Sequence, residues 1–161
     1  MKNIFLDIQN KLSNITELKY IDKNWGQLLY EQPPVKFPCA LLDIANVNYT
    51  QLGQLAQTAV GDIEITVANL QLSPSSQKSL QRNNAYAIMD IMDKIHQDLH
   101  GWATANFIPL IRTNLQKVEV SKSYEIYKIT YNTSWRVYKQ QNTVEVQTNP
   151  VVSVEVLNIN H

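Results

Sequence analysis

Cysteine is almost absent from this chain. Cys39 is the one present, so no intrachain disulfide can form, which fits a reducing compartment. Glycine is nearly as scarce, at four residues: Gly26, Gly53, Gly61 and Gly101. That counts against phosphate-cradling loops, which need close backbone approach. Neither sign of charge is in excess, with 14 Lys plus Arg against 14 Asp plus Glu. A neutral chain has no net pull toward nucleic acid or anionic membrane, and copies of it can pack together without a net-charge barrier. No run of about 18 apolar residues is present, so no membrane-spanning helix is expected. The opening MKNIFLDIQNKL is interrupted by Asp7 and Gln9 and lacks the continuous apolar region of a secretory signal. Gly-x-Ser-x-Gly, Walker, dinucleotide-fingerprint and Cys-x-x-Cys patterns are all missing.

What is there is an ordinary globular composition. The chain has 161 residues, 44% of them apolar, enough for one domain with a sizeable core. Ile4, Phe5, Ile8 and Leu12 recur at helical spacing, so residues 2–12 read as a short helix. KYIDKNW, residues 19–25, reads as a short edge strand. Three prolines, Pro33, Pro34 and Pro38, force YEQPPVKFP into an extended loop. CALLDIANVNY, residues 39–49, reads as a strand. The uncharged, Gln-rich TQLGQLAQTAVG, residues 50–61, fits a flexible hairpin loop or a short helix, with the flanking Gly53 and Gly61 favouring the loop.

Beyond Gly61 the segment DIEITVAN alternates cleanly as a strand, with Ile63, Ile65 and Val67 on one face. A polar linker, residues 70–83, leads to an amphipathic helix over residues 85–99. Asn83 or Asn84 is placed to cap it and Gly101 to end it. Ala85, Ile88, Met92, Ile95, Leu99 and Trp102 form its apolar stripe, and Asp90 and Lys94 stand at i and i+4 on the polar side. A strand over residues 111–120, a turn at 121–123 and a long strand follow. The tail TVEVQTNPVVSVEVLNINH alternates again around Pro150, as an edge strand or an extended arm. This order predicts an α+β fold: a mostly antiparallel sheet with helices packed on one face. Residues 1–139 form the domain and residues 140–161 the arm.

Candidate chemistry is sparse. Asp93, His96 and His100 have the i, i+3, i+7 spacing that can bring three metal ligands to one helical face. The competing reading gives His96 to the edge of the apolar stripe and His100 to the electronegative helix end. Cys39 has no neighbouring base to activate it and reads as a buried structural residue. Asp62 and Glu64 lie on the solvent face of a strand, where a solvated face or a protein interface explains them better than an acid–base pair. Tyr124, Tyr127, Tyr131 and Tyr138 interleave with Lys122, Lys128, Arg136 and Lys139, as in a nucleic-acid stacking platform. Tyr127 and Tyr131, however, share an apolar face with Trp135 that a helix should cover.

The most distinctive stretch is EIYKITYNTSWRVYK, residues 125–139, with no Gly and no Pro. Odd positions from Tyr127 to Val137 are largely apolar and even positions are polar. A strand of this length would reach roughly 50 Å at about 3.3 Å per residue, far beyond the usual strand. One explanation is that part of it belongs to an interface with another subunit. The other is a bent or bulged strand, or two shorter strands meeting near Asn132.

The order of FPCALLDI, GDIEITVAN, AYAIMDIMDKIHQDLHGW and YEIYKITYNTSWRVYK resembles the small tail terminator proteins of long-tailed bacteriophages and their relatives among neck and tail-completion proteins. The resemblance covers about residues 1–139 and does not account for residues 140–161. It implies a non-enzymatic virion subunit, without cofactor, that closes into a homo-oligomeric ring, typically a hexamer. Such a ring caps the tail tube, contacts the tube protein and offers a surface to the head-side connector. It implies a place in the virion tail or neck, and in the host cytoplasm during assembly, with no specific nucleic-acid or membrane partner. The candidate interface residues are Lys128, Thr130, Asn132, Ser134 and Arg136 on the polar face of the long strand. Gln51, Gln54 and Gln57 join them from the Gln-rich segment, and Asp62 and Glu64 from the strand after it. Another phage-tail-like assembly, whether neck, baseplate or contractile secretion apparatus, is the alternative setting for the same interaction module.

Overall fold

The computed structural model describes residues 1–118 and 124–139. The expected arm at 140–161, the turn at 121–123 and the last two residues of the strand at 111–120 lie outside the described residues. Helix α1, Lys2–Leu12, buries Ile4, Ile8 and Leu12, one residue per turn along a single face. Helix α3, Ala87–Leu99, buries Ile88, Ile91, Met92, Ile95 and Leu99. Gly101 follows its C-terminus with φ +78, a left-handed conformation that glycine adopts without a Cβ clash, and its N–H donates to Leu110 O at 2.8 Å.

Two expectations about this helix are corrected. The sequence-based cap at Asn83 or Asn84 does not form: both belong to a separate short helix, α2, Arg82–Ala85, and Tyr86 interrupts the chain before α3. Nor does Lys94 pair with Asp90. Its ammonium instead reaches Glu17 in the turn after α1, which ties the two helices together.

One five-stranded sheet carries the fold, in the order β1-β2-β3-β5-β4. Its strands are β1 (Tyr20–Lys23), β2 (Cys39–Gly53), β3 (Ala56–Leu70), β4 (Ile111–Val118) and β5 (Tyr124–Tyr138). The β1–β2 pair is parallel and the other three are antiparallel. The fold is therefore the expected α+β arrangement. The main core lies between the sheet and helices α1 and α3: Ile63, Ile65, Val67, Ile129, Tyr131 and Trp135 meet Ile4, Ile8, Ile88, Ile95 and Leu99 there. A smaller cluster on the opposite face, built on Cys39, Leu41, Ala68, Tyr124 and Ile126, is covered by Leu28 from the 3-10 turn Gln27–Leu29 and by Val35 and Phe37 from the Pro-rich loop.

The Gln-rich segment is the main departure from expectation. Residues 50–61 are neither loop nor helix. They extend β2 and β3 into a long hairpin, with Gln51 opposite Gln57, Gly53 opposite Ala56, and Gln54-Leu55 at the turn. The reason is visible in hindsight: Tyr49, Thr50, Thr58 and Val60 suit a pleated surface, and no proline interrupts them.

The long strand is one uninterrupted element. β5 pairs with β3 residue for residue, from Leu70 opposite Tyr124 to Ala56 opposite Tyr138, with no register shift. The bulged or divided alternative is therefore excluded. The backbone of β5 on that side is satisfied within the chain, by a partner of equal length, and needs no neighbouring subunit. On its other side, among the described residues, β4 pairs with Ile126 to Asn132.

Candidate assembly surface

The sheet continues past its helices as a three-stranded arm made of the β2–β3 hairpin and the end of β5. Two local devices shape it. Asn46 has φ 52, and the β2–β3 register shifts between Ala45 and Asn48, a bulge that re-aims the strand leading into the arm. At the base of the arm a Cβ on Gly61 would lie 2.9 Å from Val47 Cγ2 and 3.1 Å from Trp135 Cη2. Glycine is what lets the Trp135 indole lie across β3.

Beyond Trp135 the core ends. Tyr49, Leu52, Leu55, Val137 and Tyr138 are all exposed, Leu52 at 57% and Tyr138 at 63%. Residues 46–60 contain no charged side chain. The hairpin thus presents apolar side chains on an uncharged surface, and among the described residues the edges of the arm have no paired strand. Of these, Leu52 and Leu55 fall in the segment that the sequence reading assigned to a loop. The available signal was an uncharged, Pro-free run containing Tyr49, Leu52 and Leu55.

The sequence-predicted interface residues fall into two groups. Asp62, Glu64, Lys128, Thr130, Asn132, Ser134 and Arg136 share the sheet face away from the helices, with Asp62 opposite Asn132 and Glu64 opposite Thr130. Several of them bond to one another. Lys128 Nζ meets Glu64 Oε2 at 2.9 Å, and Asn132 Nδ2 donates to Asp62 Oδ1 at 2.9 Å. Asn46 Nδ2 also donates to Asp62, at 3.0 Å. Thr130 is buried, while Arg136 is exposed. Gln51, Gln54 and Gln57 stand apart at the tip of the arm, Gln54 in the turn itself, and all three are exposed. The structure does not bring the two groups into one patch.

The candidate chemical groups take structural roles. The Cys39 thiol is fully buried and burial pushes its pKa up to about 11, the opposite of an activated nucleophile. The rings of His96 and His100 lie 4.7 Å apart, but His100 Nδ1 accepts the Arg112 backbone N–H at 3.2 Å. Burial chiefly, and then the neighbouring Arg112 guanidinium and His100, lower the His96 pKa. Among the described residues no cluster of His, Cys, Asp or Glu is arranged to hold a metal, and Asp93 does not complete one. The tyrosines form no stacking platform. Tyr127 and Tyr131 are core residues, and Tyr124 is buried, stacks on Phe37 and donates its hydroxyl to Leu28 O at 3.0 Å. Among the described residues no helix is long and apolar enough to cross a membrane.

No family model and no curated protein matches the chain. Among solved structures, a chain of the "Virion of native gene transfer agent (GTA) particle" superposes with a TM-score of 0.47 at 11% identity, over 78% of this chain and 84% of that one. Superposition at that level carries no conclusion about what the chain does.

Proposed function

We propose that this chain is a structural subunit of a phage-tail-like particle, a tail terminator that closes into a ring on the end of the tail tube and joins it to the head-side connector. The observation that carries the reading is the arm: a three-stranded extension beyond the core whose β2–β3 hairpin carries no charge from residue 46 to 60, which exposes Tyr49, Leu52, Leu55, Val137 and Tyr138, and whose edges have no paired strand among the described residues. An isolated domain gains nothing from exposing such a surface, whereas a neighbour or a tube rim can pair with its edges and cover its apolar side chains. The order of elements that resembles the terminator proteins agrees with this role, and so does the balanced charge, which lets identical subunits pack side by side. In this reading the subunit resides in the neck of the particle and passes through the host cytoplasm during assembly.

The test is a mass measurement from micromolar to near-millimolar protein by light scattering, with negative-stain imaging, alone and with tail tubes of a related particle. Closed rings with a central hole, free or on tube ends, support the proposal. A strict monomer that also leaves tube ends bare overturns it. Leu52→Lys, at an exposed arm position, should keep the fold and abolish ring formation.

A further inference from the structure

Two apolar surfaces of this chain lie apart in the fold and match each other in kind. The first is the tip of the arm, where Leu52 and Leu55 are exposed. The second is a groove of about 510 Å³ between α1 and β2. Its apolar walls are Met1, Phe5 and Leu6 from α1 and Ile44 from β2. Met1 and Leu6 are exposed, although α1 buries Ile4, Ile8 and Leu12 on its other side. Phe5 and Ile44 are partly buried and pack against the main core, which holds the walls in place.

The groove selects the chemistry of what fills it. Lys2, Lys23 and Asp43 complete the lining, and long charged side chains can keep their heads in water beside an apolar wall. A group seated against Phe5, Leu6 and Ile44 has no such escape, so it has to be apolar and uncharged. The arm meets that requirement better than any other stretch of the chain. Residues 44–61 form its longest run without Asp, Glu, Lys or Arg, and the exposed leucines stand in the middle of that run.

A chain cannot seat its own tip in its own groove. Ile44 of the groove and Gly53 of the tip belong to one strand, β2, and nine residues of strand separate them by roughly 30 Å at about 3.3 Å per residue. The pairing of β3 with β5 along the whole arm keeps the tip from folding back. Tip and groove can therefore meet only between copies. Because they lie at different places on the subunit, one contact leaves a groove free on one copy and a tip free on the other, the heterologous arrangement from which rings are built. We propose that Leu52 and Leu55 of one copy seat in the α1–β2 groove of the next, so that subunits join head to tail. The contact rests on the ring-forming role proposed above and names the surfaces that make it.

The experiment is disulfide trapping in the full chain at near-millimolar protein. Leu6→Cys and Leu52→Cys are each made alone, both at exposed positions, and the native Cys39 thiol is fully buried. Mixed under mild oxidation, the two variants should form the mixed dimer on the order of ten times faster than either forms a dimer with itself, because a seated tip holds the thiols together. Leu55→Asp in the Leu52→Cys chain should remove that preference. The double variant, Leu6→Cys with Leu52→Cys, should give a ladder of covalent trimers and larger species. A bond closed within one chain, covalent dimers with nothing larger, or no preference for the mixed dimer would each overturn the proposal. Closed rings in negative stain without the mixed bond would overturn this contact alone and leave the ring-forming role standing. A strict monomer that also leaves tube ends bare would overturn both.

Discussion

Replacing Gly61 by alanine puts a methyl group into a space bounded on three sides. It would stand 2.9 Å from Val47 Cγ2, 3.1 Å from Trp135 Cη2 and 3.4 Å from the Ala45 carbonyl. Trp135 is only 4% exposed and cannot swing aside without opening the core. Overpacking of this kind costs about 1–3 kcal/mol. Against it, alanine restricts the unfolded chain and returns about 0.4–1 kcal/mol. The net expectation is a loss of roughly 0.5–2 kcal/mol, or about 2–4 °C in Tm for each kcal/mol in a chain of this size.

Gly53 is the internal control. Nothing lies within 4 Å of a Cβ there, so Gly53→Ala keeps only the favourable entropic effect and should gain about 0.4–1 kcal/mol. The two substitutions are chemically identical and should differ in sign. Urea unfolding followed by tryptophan fluorescence measures both. Adding Val47→Ala to Gly61→Ala should recover part of the loss, since the two side chains compete for one space. If Gly61→Ala is as stable as the parent chain, the close packing at the base of the arm is wrong. If Gly53→Ala is destabilised, the open hairpin tip is wrong.

Other expectations follow from the buried groups. Cys39, buried and with its pKa pushed up to about 11, should resist a thiol reagent at pH 8 in the native protein and react fully once urea unfolds it. The lowered pKa of His96 means that the folded state favours its neutral form. The unfolded chain then binds more protons between the folded value and the ordinary 6.5. Stability should therefore be fullest above 6.5 and fall as pH drops toward the folded value, and His96→Gln should flatten that slope in urea titrations. Among the described residues the buried Tyr131 hydroxyl has no hydrogen-bond partner, so Tyr131→Phe removes no hydrogen bond to them. It should leave the urea midpoint unchanged or raise it, whereas a clear drop would point to a partner for the hydroxyl.

Most elements were legible because their side chains repeat with the period of the structure they adopt. Ile4, Ile8 and Leu12 mark a helix, and Ile63, Ile65 and Val67 mark a strand, wherever the rest of the chain goes. The arm was not legible. Its β3 half pairs with β5, some 80 residues away in sequence, and a window of neighbours carries no trace of that partner. Lys94 shows the same limit. Its local partner at i−4 was visible in the sequence, but the fold brought Glu17 closer. Among the candidate interface residues, the alternation placed Asp62, Glu64 and the even positions of β5 on one face, as the sheet has them. It could not show that Glu64 and Lys128 would bond to each other, or that Thr130 would be buried.

By itself the sequence determined the fold class, the helix faces, the buried character of Cys39 and the two-faced nature of the long strand, because these follow from local periodicity and side-chain polarity. Only the tertiary structure decided that the strand is paired along its whole length within the chain, that residues 50–61 are strand, and that the exposed apolar surface lies on an arm beyond the helices. Those facts depend on which strands become neighbours and where the helix layer ends. Both are set by contacts between residues far apart in the chain, where hydrophobic burial and ladder hydrogen bonding outweigh local preference.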